Sequence, residues 1–341
     1  MTSNLTVVQN SMRIICTIII LFLFNSLSIA AEQKIATEED VKRIYNSIVK
    51  IFSIVPPDAR TASALGTERR GSGVIIDDKH ILTIGYIVVE AETINIGLPD
   101  GKTVAGELIG YDHTSGFGIL RTIGSTILTP LKLGDSDNIN ANEILFVMPY
   151  PDQGQPSTAN AVSRRAFAGW WEYYLDKPIY TYPMNHSWAG TPLINQQGEI
   201  LGIGSLFISE AMTPGFSSPG NLFVPINDLK PILTDLITNG RRTKDIKPYM
   251  GLSSDDSSGK VSVTRVNENG PAAKAGIMPN DIILSVNDQA VSNMSDFYKT
   301  AWGFGGPGTI LKLDIDRNQK KLSFEITTMD RNDFFVKPKY Y

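Results

Sequence analysis

Residues 71–98 read GSGVIIDDKHILTIGYIVVEAETINIGL, and Pro99-Asp100-Gly101-Lys102 follows at once. Short apolar runs (73–76, 80–84, 93–98) alternate here with turn-forming residues. The Pro99-Asp100-Gly101 turn lies between two strand-like runs and signals a hairpin. Working outward, the same texture continues. Residues 103–110, 118–123, 143–148, 177–182, 191–195, 199–208 and 221–226 all read as short strands, and Gln197-Gly198 is a second hairpin turn. Many short strands at close spacing predict a β-barrel or sandwich rather than a doubly wound α/β sheet. On the N-terminal side, Val41, Ile44 and Ile48 have helical spacing and predict a short amphipathic helix over 38–50. Residues 56–70 read as a loop. On the C-terminal side, 227–238 is amphipathic, with Asn227 as its expected N-cap and Gly240 as its stop.

The chain has 341 residues, enough for two domains and an accessory segment. Apolar residues make up 42% and charged residues 19%, which supports ordinary hydrophobic cores and excludes wholesale disorder. The formal net charge of −4 argues against a nucleic-acid binder held by basic charge. One Cys cannot form an internal disulfide or a cysteine-ligated zinc site. The three His show no helical ligand spacing, so no metal and no cofactor is expected.

Residues 14–24, IICTIIILFLF, carry no charge; Arg13 precedes them and the small residues Ser28-Ile29-Ala30-Ala31 follow. This is the pattern of an export signal over 1–31, with cleavage after Ala30 or Ala31. The 18 residues 14–31 also read as a retained anchor, weakened by Asn25, Ser26 and Ser28 against the ~20 apolar residues a span needs. Cys16 lies inside the run, so a cleaved chain would contain no Cys, which suits an oxidising envelope compartment.

After the charged stretch 241–247 a smaller module begins, spanning 247–330. It contains strand-like runs at 260–266, 281–287, 309–316 and 321–327, and a short helix around 295–301. Within it, GPAAKAGIMPNDIILSVN (270–287) resembles the core signature of a PDZ domain. That family usually has Gly where Asn280 stands, and Asn tolerates positive φ better than other residues with a side chain. Tyr249, Met250, Gly251 and Leu252 stand where the resemblance places the carboxylate-binding loop. Such a loop offers backbone N–H groups to a peptide C-terminus while the peptide adds as a strand. Phe297 and Ala301, on the following helix, would face the bound side chain.

The preceding region, 38–240, is similar to the trypsin-like domain of HtrA/DegP-type proteases. The similarity rests on GSGVIIDDKHILTIGYIVV (71–89), LPDGKTVAGELIGYDHTSGFGIL (98–120) and MNHSWAGTPLINQQGEILGIG (184–204). It implies a mostly β chain: a chymotrypsin-like double β-barrel followed by an α+β PDZ domain. Serine-protease chemistry needs a hydroxyl nucleophile, an imidazole base and an orienting carboxylate. The positions that match those roles hold Ala189, Tyr86 and Gly116. Ala has no nucleophile, Gly has no carboxylate, and Tyr, with an ordinary pKa of ~10, is a poor base near neutrality. Ser187 and Trp188 also replace residues of the family's oxyanion loop.

These substitutions predict an HtrA-like pseudoprotease of the cell envelope, exported to the periplasm and either free there or held at the inner membrane by an uncleaved signal. It would bind polypeptide C-termini or unfolded proteins, as an adaptor, chaperone-like protein or assembly partner. The resemblance also implies homo- or hetero-oligomers with HtrA-type proteases. Two other readings stay open: an active endopeptidase using His80, Asp112 and Ser187, and a purely structural scaffold. The aromatic cluster Phe167, Trp170, Trp171, Tyr173, Tyr174, Tyr180 and Tyr182 reads either as barrel core or as an interface or peptide-contact patch.

Overall fold

The β-branched run Ile48–Ile54 (β1) shows why the first barrel forms. Ile48, Val49 and Ile51 are fully buried, and the strand pairs with neighbours along both edges. Those neighbours are β2 (Glu68–Ile75) and β4 (Thr93–Gly97). With β3 (His80–Ile84), β5 (Thr103–Tyr111) and β6 (Phe117–Thr122) they close a six-stranded barrel in the order β1-β2-β3-β6-β5-β4. The structure is a computed structural model that describes residues 38–140 and 143–336. The export-signal reading of 1–31 lies outside the described residues. Among the described residues no helix is long and apolar enough to cross a membrane.

Two local expectations are corrected here. The helix predicted over 38–50 ends at Tyr45, because two-sided strand pairing of β1 outweighs the helical spacing of Ile48. The stretch 56–70 is not all loop: a short helix, Ala62–Leu65, precedes β2, which starts at Glu68.

The second barrel comprises β7 (Ile144–Val147), β8 (Ser157–Ser163), β11 (Ile179–Tyr182), β12 (Pro192–Ile194), β13 (Ile200–Ile208) and β14 (Gly220–Pro225). It closes in the order β11-β14-β13-β12-β7-β8. Between β8 and β11 a small hairpin, β9 (Phe167–Gly169) and β10 (Tyr173–Leu175), forms a separate two-stranded sheet. The expected hairpin turn at Gly198 is present, with φ +76°. The expected helix start at Asn227 is corrected: a 3-10 turn covers Ile226–Asp228, and the helix runs Leu233–Asn239. The Asn227 amide donates instead to Asp135 and Asp137. Gly240 ends the helix in the left-handed conformation, as expected.

The second module is a sheet ordered β15-β16-β17-β19-β20, with β18 on β17. Its strands are β15 (Leu252–Asp255), β16 (Ser262–Val266), β17 (Ile282–Val286), β18 (Gln289–Ala290), β19 (Ile310–Arg317) and β20 (Lys320–Thr327). The helices Pro271–Ala275 and Met294–Gly303 cover it. Its core holds Met250, Leu252, Val263, Phe297, Tyr298, Ala301, Leu313 and Ile315. Each large apolar side chain buried this way stabilises the module by about 2 kcal/mol. Asn280 adopts φ +73°, the conformation its place before Asp281 requires. Asp281 is fully buried and receives a forked pair of bonds from Arg317 at 2.6 and 2.7 Å.

The connector between barrel and module is fastened by charge. Arg242 forks onto Asp112 (3.0 and 2.9 Å), a carboxylate only 1% exposed in the loop between β5 and β6. Arg241 bonds Asp330 and Asp333 beyond β20. The chain then returns to the first barrel, where Phe335 packs on Tyr111 and the Val336 N–H donates to Glu90.

Candidate functional site

The cleft between the barrels is built from the ends of strands. Tyr86 sits in the 3-10 turn Gly85–Ile87 that follows β3. Gly116 ends the loop before β6, and its carbonyl accepts from the Gly85 N–H at 2.6 Å, so the two segments are neighbours. Ala189 precedes β12, and its carbonyl accepts from the Ser72 N–H at 2.9 Å. The strands thus bring the segments of Tyr86 and Gly116 together and set Ala189 beside β2.

The side chains there are held by hydrogen bonds and packing. The Tyr86 hydroxyl donates to the Ser205 carbonyl at 2.9 Å. Burial holds this phenol well above its usual range, and the hydrogen bond with Trp188 only partly offsets that. Gly116 has φ +86°, and a Cβ placed on it would lie 3.2 Å from the Tyr173 hydroxyl. That hydroxyl itself donates to the Ser115 carbonyl at 2.6 Å. Trp188 packs against Phe207, with ring centroids 6.1 Å apart.

The alternative trio does not converge through hydrogen bonds. His80, at the opposite end of β3 from Tyr86, pairs its Nδ1 with Asp77 at 2.7 Å. Asp112 is committed to Arg242 and to the Ser115 hydroxyl. The Ser187 hydroxyl donates to the Gln153 carbonyl at 2.5 Å. Among the described residues no group of three or more His, Cys, Asp or Glu is placed to hold a metal ion.

The groove of the second module is the unexpected part. Three successive backbone N–H groups, from Met250, Gly251 and Leu252, all donate to the carboxylate of Glu172, at 2.8, 2.6 and 2.8 Å. Glu172 lies in the β9–β10 turn, is 4% exposed and has φ +54°. Two residues earlier, the Trp170 carbonyl accepts from the Ser254 N–H of β15 at 2.9 Å. The Tyr298 hydroxyl, on the helix Met294–Gly303, donates to the Gly169 carbonyl and accepts from the Glu172 N–H. Ala168 and Tyr174 of the hairpin pack on the core that contains Phe297 and Ala301.

The fourth predicted loop residue, Tyr249, takes no part in holding Glu172. The Tyr249 N–H donates to the Met329 carbonyl rather than to a carboxylate, because the chain there is still bridged antiparallel to the segment after β20. The seven aromatic residues divide. Tyr173 and Tyr180 are buried in the barrel, Trp171 stacks on Tyr173, Trp170 is half exposed, and Tyr174 reaches Trp302 of the module. A cavity of about 370 Å³ joins cleft to groove, walled by Tyr86, Trp188 and Phe207 on one side and by Trp170, Leu252 and Arg265 on the other.

Glu172 was not among the candidates from sequence. Its signal is the run Trp170-Trp171-Glu172-Tyr173-Tyr174, where a single carboxylate inside an aromatic stretch must find donors if the stretch is buried.

Two closed barrels, followed by a module with a carboxylate-binding loop, define the HtrA type of architecture: a trypsin-like protease domain with a C-terminal PDZ domain. Family models agree. The trypsin-like peptidase domain matches residues 71–203 and the PDZ domain matches 248–328. The chain is similar to the periplasmic pH-dependent serine endoprotease DegQ of Escherichia coli, at 28% identity over 305 residues. The match spans 85% of this chain and 65% of DegQ. The serine endoprotease DegS of Salmonella typhimurium is 27% identical over 305 residues, covering 85% of each chain. Among solved structures, the HtrA-type protease AlgW with a decapeptide superposes with a TM-score of 0.51 at 18% identity, covering 88% of this chain and 98% of AlgW. The serine endoprotease from Yersinia pestis gives 0.50 at 23% identity, covering 86% and 97%.

Proposed function

We propose that this chain is a non-proteolytic HtrA-type protein of the cell envelope that binds polypeptides by their C-termini through its PDZ domain. The observation that carries this reading is the state of the cleft. Tyr86, Gly116 and Ala189 stand where the base, the acid and the nucleophile would be needed, and the Tyr86 hydroxyl is tied to a backbone carbonyl. Amide hydrolysis without a positioned nucleophile and base loses the largest contributions such a site makes. The carboxylate chemistry of the groove is intact, since Met250, Gly251 and Leu252 offer three convergent N–H groups. The periplasmic relative DegQ and the export-type N-terminus support an envelope location, where the chain would act as an adaptor or chaperone-like partner, alone or assembled with HtrA-type proteases.

Screening the purified chain against a library of decapeptides, each as the free C-terminal acid and as the amide, tests the binding half. Selective retention of free acids is expected. Equal retention of acids and amides, or none of either, contradicts it.

A further inference from the structure

We propose that the PDZ groove of the resting chain is filled by its own hairpin, residues 167–175, with the Glu172 side chain in the place of a terminal carboxylate, and that a polypeptide C-terminus enters only by displacing it. This rests on the peptide-binding reading above and adds how that site is governed.

Three independent features point the same way. The first is the triple acceptance by one buried carboxylate, at 2.6–2.8 Å from the N–H groups of Met250, Gly251 and Leu252. Charge-assisted bonds of this length are the strong kind, and they use the donors a peptide C-terminus would need. The second is strand addition. The Ser254 N–H on the open edge of β15 donates to the Trp170 carbonyl, so the hairpin runs beside the strand that a peptide would extend. The third is the backbone of Glu172 itself. Its φ of +54° is a left-handed conformation that a residue with a side chain holds only where its surroundings over-determine it. Those surroundings are the three N–H groups and the clamp of Tyr298 on both sides of the turn.

A tethered ligand acts at an effective concentration in the millimolar range, so a free peptide meets a groove that is open only a small fraction of the time. Its apparent affinity falls by that fraction. Release has a second consequence, because Trp170 also forms a wall of the cavity shared with Tyr86 and Trp188. A displaced hairpin therefore opens the interbarrel cleft to the bound polypeptide.

The test uses the full chain in three forms: wild type, Glu172→Ala and the shape-conserving Glu172→Gln. Hydrogen exchange read by mass spectrometry reports occupancy without any ligand. Protection of the 250–252 and 254 amides in the wild type and in Glu172→Gln, lost in Glu172→Ala, is expected. Equal exchange in all three overturns self-occupancy. Fluorescence anisotropy with labelled free-acid decapeptides from the library reports displacement. At least tenfold tighter binding to Glu172→Ala than to wild type or Glu172→Gln is expected. Equal affinity for wild type and both variants overturns displacement while leaving peptide binding standing. Exchange protection as expected, with no peptide bound by any form, upholds the filled groove and contradicts the peptide-binding reading instead.

Discussion

Glu172 is a carboxylate held where its charge is costly. Burial pushes its pKa up to about 6, although the N–H groups of Met250, Leu252 and Gly251 and the cation of Arg331 pull the other way. The other titratable groups facing it, Tyr249 and Tyr298, are pushed up by burial and stay neutral. A released hairpin returns the carboxyl to water and to its ordinary value near ~4.3. The closed form therefore binds the proton more tightly, and acid favours closure. Peptide affinity is expected to rise between pH 4 and pH 7, by up to about 30-fold. Anisotropy titrations across that range check this, and Glu172→Gln should flatten the profile. Asp112 is the second carboxylate on which the structure leans. Burial raises its pKa, but Arg242 and Ser115 more than offset that, so it stays below the usual range. Arg242→Ala would leave the charge buried and unpaired, and should cost about 3 kcal/mol in urea denaturation. Gly116 explains why the cleft resists repair. Its φ of +86° and the nearby Tyr173 hydroxyl leave no relaxed place for a carboxylate. The combined variant Tyr86→His, Gly116→Asp, Ala189→Ser is accordingly expected to show no casein cleavage.

At the scale of elements, the legible parts of the sequence were those where pairing and burial agree with local pattern. The turns at Gly101 and Gly198 and the stop at Gly240 need positive φ, and glycine announces it. β1 was hidden because Val41, Ile44 and Ile48 share a helical spacing, although Ile48 is claimed by two neighbouring strands. β8, Ser157–Ser163, has Val162 as its one larger apolar residue among small and polar ones, so its pairing with β7 and β11 left little apolar alternation to read. The β9–β10 hairpin was visible only as an aromatic cluster, because its partner lies more than 70 residues away in the PDZ domain. Close packing of elements yields its own test. A Cβ on Gly110 of β5 would overlap the Leu236 carbonyl of the helix Leu233–Asn239. Gly110→Ala should destabilise the first barrel by about 1–3 kcal/mol, measured as a shift in urea midpoint.

Over the whole molecule, the frame is that of an HtrA-type protease with a C-terminal PDZ domain. The fold was legible because two barrels and a PDZ domain are long patterns with many turns. The expectation of an empty triad rests on Tyr86, Gly116 and Ala189, which fall within recognisable stretches. What sequence could not give was the contact between the two halves, in which the PDZ loop, the hairpin and the cleft share one cavity. A self-filled groove fits the proposed binding role, since a binding protein needs control of access. The most direct measurement incubates the purified chain with fluorescent casein and a fluorophosphonate probe, beside His80→Ala and Ser187→Ala. No cleavage above background and no labelling is expected from any of the three. Cleavage by the wild type that either substitution abolishes would contradict the account.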